Sequence, residues 1–116
     1  MKKILIILLF LTFYIVPCVA ETIHWLPLDN SSIDFYDKNF TEITNGIYSV
    51  TLKHTNGDND LLYVGELDCH NVQIRYKAAI LTDNIKNVTL DIIPMDYTWG
   101  SIMPGVAQKA YFKICK

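Results

Sequence analysis

The sequence of 116 residues lacks any arrangement of residues that marks a catalytic site. Its three histidines, His24, His54 and His70, are dispersed and form no spaced cluster with cysteine or aspartate that would indicate a metal ion. Residues 56–60 offer oxygen atoms but no closing glutamate of a twelve-residue calcium loop, so a hairpin turn is the better interpretation. We therefore predict no enzyme activity, no metal ion and no cofactor.

Clusters of basic residues are absent as well. The chain has 10 basic and 12 acidic residues, and the basic ones are scattered. A mildly acidic chain without a Lys/Arg cluster has no electrostatic footprint for nucleic acid, which excludes that class of partner. Asp29, Asp34 and Asp37 lie close together in the sequence, and we expect them to be solvated loop charges, because carboxylates at an unknown separation do not define a hydrolase.

The amino-terminal residues have the composition of a bacterial signal peptide. A short basic start precedes an uncharged apolar run at residues 4–16, and Ala20 supplies a small residue for cleavage. The run is shorter than the roughly 20 apolar residues of a membrane-spanning helix, so we expect no membrane span after cleavage. The predicted division is a signal peptide at 1–20 and one exported domain at 21–116, in the periplasm, at the cell surface or secreted.

Cysteine is scarce, and cleavage of the signal peptide would make the count even. Pro17 stands where a lipoprotein signal has a small residue, so we do not expect lipidation of Cys18, which leaves with the signal peptide. Cys69 and Cys115 remain, and an even pair in an oxidising compartment predicts one disulfide. Cleavage also leaves eight basic residues against twelve acidic ones, a net charge of −4 instead of −2.

The middle of the chain alternates between apolar and polar residues with the period of half-buried strands. The predicted strands lie at residues 22–28, 32–36, 47–53, 61–69, 72–81 and 88–94. Their connections are too short for parallel crossovers, so neighbouring strands should be antiparallel. The clearest alternation predicts that the even-numbered residues from Val72 to Ile80 share one face, and that this strand forms a hairpin with the one before it.

Near the carboxyl terminus the period changes to that of a helix. Apolar residues recur at spacings of three and four at Val106, Ala107, Ala110, Tyr111, Ile114 and Cys115. Pro104 suits the start of this helix, and about three turns would be marginal alone, so the helix must pack on the sheet. The predicted fold class is α+β, a single small antiparallel β-sheet of five or six strands with a C-terminal α-helix packed on it and tied by one disulfide.

Several short elements together resemble one protein family. They are Trp25, the strand ending in Asp68-Cys69, the pattern Trp99-x-x-Ile102-x-Pro104-Gly105 and a C-terminal helix ending in cysteine. With these elements the exported domain resembles the bacterial surface-adhesin protein E family. The resemblance implies a small antiparallel sheet with a disulfide-tethered helix, exposure to the outside of the cell and, for the founding adhesin, binding of host extracellular-matrix and plasma proteins.

Two functional hypotheses follow. The first is a secreted or cell-surface binding module of adhesin type that contacts a host or envelope protein. Its predicted binding residues are Tyr36, Phe40 and Tyr97, because aromatic side chains dominate interface energetics, and the alternative is that these aromatics complete the core. The second hypothesis is a soluble periplasmic structural or inhibitory protein of unknown partner. An open edge strand would also allow two copies to pair as a homodimer.

Overall fold

The structure is a computed structural model that describes residues 23–116. The predicted signal peptide at residues 1–20, including Cys18, lies outside the described residues. The elements are β1 (Trp25–Pro27), β2 (Asp34–Asp37), β3 (Thr41–Thr44), β4 (Ile47–Asn56), β5 (Asn59–Asp68), β6 (Gln73–Asp83), β7 (Val88–Pro94), β8 (Gly100–Ser101) and α1 (Val106–Ile114).

All eight strands belong to one antiparallel sheet, which confirms the predicted architecture. The order across the sheet is β1-β2-β4-β5-β6-β7, and the long strands β4, β5 and β6 form its centre. Two short strands, β3 and β8, were not predicted, and they pair with β4 and β6 respectively. The sheet therefore has eight strands rather than five or six, because strands of four and two residues are too short to show alternation.

A two-residue turn joins β4 to β5. Asn56 pairs with Asn59, so Gly57 and Asp58 form the turn between them. Gly57 has a φ of 63°, in the left-handed region that glycine adopts most readily. The hairpin-turn interpretation of residues 56–60 is confirmed.

A bulge in β6 reverses the direction of its side chains. Gly65 of β5 pairs with Tyr76, whereas the preceding residue, Val64, pairs with Ala78. Lys77 is therefore an extra residue without a partner, which is the definition of a β-bulge. Gly65 has no room for a side chain, because a Cβ atom there would lie 2.3 Å from a carbonyl oxygen of β6.

The bulge corrects the predicted face of β6. Ile74 and Tyr76 point towards α1, in agreement with the prediction. Ala78 and Ile80 lie on the opposite face, because the inserted residue shifts the alternation by one position. Val72 precedes the strand and has a φ of 54°, so it belongs to the turn. An unbroken apolar alternation does not reveal an inserted residue.

The predicted helix is confirmed, and it covers one face of the sheet with small residues. Ala107 and Ala110 are its buried positions. The core consists of Tyr36, Val50, Leu52, Leu67, Ile74, Ala107 and Ala110. Because alanine side chains are short, the helix lies close to the sheet, and Leu52 and Leu67 are completely buried beneath it.

The predicted disulfide between Cys69 and Cys115 is present. Their Cα atoms are 5.4 Å apart, within the range that a disulfide allows. Cys69 directly follows β5, and its N–H donates to the carbonyl oxygen of Gly46 at 2.9 Å. Cys115 directly follows α1. The bond therefore fastens the end of the helix to the end of a central strand.

The variant Cys115→Ser is expected to lower the free energy of unfolding by about 4 kcal/mol, since the bond closes a segment with a sequence separation of 46. Urea denaturation under oxidising conditions measures the loss. The double variant Cys69→Ser/Cys115→Ser should show a similar loss, which separates the missing bond from any effect of an unpaired thiol. Unchanged stability in both variants would contradict the proposed tether.

The variant Gly65→Ala is expected to lower the free energy of unfolding by about 1–3 kcal/mol, because the added Cβ meets backbone that cannot move freely. Thermal denaturation measures the change. Gly100→Ala is the matched control, since a Cβ there has no neighbour within 4 Å, and a change below about 0.5 kcal/mol is expected. Equal effects in the two variants would show that Gly65 is not required for the close approach of β5 and β6.

Candidate functional site

The sheet has a second face, opposite α1, that no helix of residues 23–116 covers. We call it the helix-free face and define it by two rows of paired residues that cross β4, β5, β6 and β7. The rows are Lys53–Leu62–Ile80–Ile92 and Thr51–Val64–Ala78–Pro94. Six of these residues are apolar. Ile92, at 62%, and Pro94 are exposed, whereas Leu62, Val64, Ala78 and Ile80 are half-buried. These rows form the apolar part of the helix-free face.

A lysine of the helix-free face lies between two aromatic rings, next to β2 and β1. The Nζ atom of Lys53 lies 4.7 Å from the ring centroid of Trp25 and 4.6 Å from that of Phe35. The rings attract the ammonium group electrostatically and hold the side chain in place. Among residues 23–116 no carboxylate forms an ion pair with Lys53. Its charge is therefore available to a partner.

A second cation between two rings lies over the other end of the sheet. The guanidinium carbon of Arg75 is 4.1 Å from the ring centroid of Tyr97 and 4.4 Å from that of Trp99. The Nε atom of Arg75 donates to Glu66 at 2.6 Å, and the Tyr97 hydroxyl donates to the same carboxylate oxygen at 2.7 Å. Lys77 approaches the other oxygen at 3.8 Å. These contacts fasten the segment after β7 to the centre of the sheet.

The network keeps the buried Glu66 carboxylate ionised. Burial alone would raise the pKa of Glu66, but hydrogen bonds from Tyr97 and Arg75, together with the charges of Arg75 and Lys77, outweigh burial and hold the pKa below its usual value. The hydrogen bond to Glu66 also raises the pKa of the Tyr97 hydroxyl. Tyr97 is therefore a neutral donor in a fixed position.

The structure places the three predicted binding residues in different surroundings. Tyr36 is 8% exposed and belongs to the core, so it is not the exposed anchor that the sequence predicts. Phe40 is half-buried, and its ring packs beside those of Tyr36 and Tyr48. Tyr97 is 38% exposed and borders the helix-free face. Of the three, Tyr97 is the residue that a partner can reach.

The sheet edge at β7 offers few donors to a further strand. Met95 donates its N–H to Lys77 of β6, so the neighbouring positions Ile92 and Pro94 direct their nitrogens away from the sheet. The N–H of Ile92 donates a hydrogen bond to the Asp91 side chain at 2.8 Å, and Pro94 has no N–H. The predicted homodimer through an edge strand stays a prediction, and this edge is a poor place for it.

A second polar cluster holds α1 to the other face of the sheet. Lys109 of α1 forms ion pairs with Asp34 and, at 2.6 Å, with Asp29. Asp34 is 2% exposed and also accepts a hydrogen bond from Nδ1 of His54 at 2.6 Å. Hydrogen bonds to Asp29, the strongest from Lys109 and the others from Ser31, lower the pKa of Asp29 to about 2. The expectation of solvated loop charges is wrong for Asp34, which anchors the helix from within the protein.

The described part of the chain contains no group of three or more histidine, cysteine, aspartate or glutamate side chains that could hold a metal ion. None of the helices in residues 23–116 is long and apolar enough to cross a membrane.

Sequence reasoning missed both polar clusters, for different reasons. Glu66 and Arg75 are direct partners in the β5–β6 hairpin, and counting outward from the predicted connection would have paired them. Lys109 and Asp34 are 75 residues apart, and no local pattern relates a helix residue to a strand at that distance. The first cluster was therefore accessible to sequence reasoning, and the second was not.

No family model, no curated protein and no solved structure matches this chain. The resemblance to the surface-adhesin protein E family thus rests on the residues that carry it, and it stays a hypothesis.

The variant Glu66→Gln is expected to lower the free energy of unfolding at neutral pH by about 2–3 kcal/mol, because Arg75 and Tyr97 lose a charged acceptor. The pKa of Glu66 is lower in the folded protein than its ordinary value of 4.5, so this stability is present above that value and is lost as the pH falls. Urea denaturation at several pH values should show the difference between wild type and variant shrinking in acid.

Asp58→Asn in the exposed β4–β5 turn is the matched control for Glu66→Gln, and a change below about 0.5 kcal/mol is expected. A stability difference between wild type and Glu66→Gln that stays constant from neutral to acidic pH would contradict the ionised network.

Proposed function

We propose that the chain is an exported, non-catalytic binding module of adhesin type that contacts a protein partner through the helix-free face. The observation that carries the proposal is the pair of apolar rows left uncovered on a small sheet. Exposed apolar surface costs roughly 25 cal/mol per Å², a cost that a partner removes when it covers the face. The Cys69–Cys115 disulfide is compatible with export to an oxidising compartment.

The charges around the face indicate the chemistry of the partner. Lys53 has no carboxylate partner among residues 23–116, and Lys77 reaches Glu66 only at 3.8 Å. Arg75, by contrast, is paired with Glu66 through Nε and Nη2. A complementary surface would present apolar side chains at its centre and carboxylates towards Lys53 and Lys77. Extracellular-matrix and plasma proteins of a host are the class of partner that the family resemblance implies.

The rim of the face is held in place before binding. Trp25 and Phe35 are stacked against Lys53, and Tyr97 and Trp99 against Arg75. Aromatic side chains that are already fixed lose little conformational entropy when a partner binds. Because the β7 edge lacks free donors at Ile92 and Pro94, contact through the face is favoured over addition of a strand.

The variant Ile92→Glu is expected to weaken binding to an immobilised matrix or plasma protein at least tenfold, about 1.4 kcal/mol, because it buries a charge in the apolar part of the contact. Ile92 is 62% exposed, so the variant should fold normally. Phe112→Glu on the outer side of α1 is the matched control, since Phe112 is 54% exposed and lies on the other side of the sheet. Surface plasmon resonance with the exported protein measures both.

Equal binding of Ile92→Glu and wild type would contradict contact through the helix-free face. If the folded protein binds none of the matrix and plasma proteins, the adhesin-type function itself is contradicted. Cell fractionation distinguishes this function from the alternative, a periplasmic structural or inhibitory protein. The alternative requires that the protein is found only in the periplasmic extract.

A further inference from the structure

A pocket of about 300 Å³ lies on the opposite side of the molecule, between the sheet and the start of α1. It is lined by His54, Tyr63, Tyr76, Met103, Pro104, Gly105, Val106 and Ala107. Its volume is at the lower end of the range found for small-molecule sites. The lining combines an apolar wall, formed by the turn before α1 and its first residues, with three polar side chains that come from the sheet. The pocket is separate from the helix-free face.

The histidine in this pocket is held in one orientation. Its Nδ1 atom donates to the buried Asp34 carboxylate at 2.6 Å, and Asp34 is held in turn by Lys109. A carboxylate partner at Nδ1 places the proton there, so Nε2 of the neutral ring is a hydrogen-bond acceptor. His54 therefore lines the pocket with Nδ1 already engaged, and Nε2 is the ring nitrogen left for a ligand.

Two tyrosines supply the complementary donors. The ring centroids of Tyr63 and Tyr76 are 5.5 Å apart. Among residues 23–116 neither hydroxyl makes a hydrogen bond, and no buried side-chain oxygen or nitrogen lacks a partner, so both hydroxyls are accessible to solvent. Both tyrosines line the pocket, and Tyr76 also lines a neighbouring one with residues 95–98. The pKa of Tyr76 is raised mainly by burial and to a lesser extent by the neighbouring Tyr63, so its hydroxyl stays protonated. The pocket thus offers two donors, one acceptor and two aromatic ring faces.

We propose that this pocket binds one sugar unit of a glycan. A sugar ring has hydroxyl groups along its edge, which can donate to His54 and accept from Tyr63 and Tyr76, and carbon-bound hydrogens on its faces, which pack on aromatic rings. The pocket opens to solvent, so the unit can belong to a longer chain.

The charges near the pocket favour a neutral ligand over an anion. Among residues 23–116, Lys109 is the one lysine or arginine that pairs with Asp29 and Asp34, and the neutral His54 ring in the tautomer set by Asp34 has an acceptor at Nε2. A phosphate or carboxylate would therefore meet a lone pair and an uncompensated carboxylate. The start of α1, which lines the pocket without a side-chain cap, would by contrast favour an anion.

Titration of the isotope-labelled exported protein with methyl glycosides of glucose, galactose, mannose and N-acetylglucosamine tests the proposal by NMR. At least one glycoside should shift the His54 ring signals and the amide signals of residues 105–107 in a saturable way, with a roughly millimolar dissociation constant. Tyr76→Phe should weaken that binding about three- to tenfold, since it removes one hydrogen bond and keeps the ring. Tyr48→Phe, on the same sheet face but outside the pocket, should bind like wild type.

Inorganic phosphate and acetate are titrated in parallel. Saturable shifts at His54 with either anion, and none with the glycosides, would overturn the proposal in favour of an anion site. The absence of shifts with every probe, in a protein whose spectrum shows it to be folded, would overturn it as well. Equal affinity of Tyr76→Phe and wild type for a bound glycoside would place the sugar elsewhere.

Discussion

The length of the one short helix in residues 23–116 constrains the described part of the structure. A helix of nine residues is about 14 Å long, whereas central strands of ten and eleven residues are about 33 Å long. One such helix can cover only part of one sheet face. The protein therefore has a small core, and α1 depends on attachments besides apolar packing. They are the disulfide at its end and the ion pairs of Lys109 with Asp29 and Asp34.

The same constraint leaves the other face open, and the surrounding residues are arranged accordingly. Lys53, at the β4 end of one row, and Arg75, on β6 beyond the other row, are each held by two aromatic rings. At the β7 edge, Asp91 occupies the N–H of Ile92, and this protects the sheet against unwanted pairing with another strand. The described part of the sheet thus combines a partly exposed apolar face with an edge that has few free donors.

The sequence predicted the class of fold because each long element has its own periodicity. The predicted bounds of the strands β4 to β7 and of α1 all lie within a few residues of the observed ones. The disulfide followed from the count of cysteines. What failed were features that depend on a second segment, such as the bulge at Lys77, whose one local sign was the isolated Gly65 in the facing strand. The burial of Tyr36 and Asp34 likewise depends on a helix that lies far away in the sequence.

The central claim is that one face of the sheet is covered and the other is open in the free protein. It can be tested by methyl NMR of the exported protein in the presence of a soluble paramagnetic agent. The account predicts strong broadening of the methyl signals of Leu62, Val64, Ile80 and Ile92, and protection of those of Val50, Leu52, Leu67 and Ile74. Equal protection of the two groups would show that the helix-free face is covered in solution and would contradict the account.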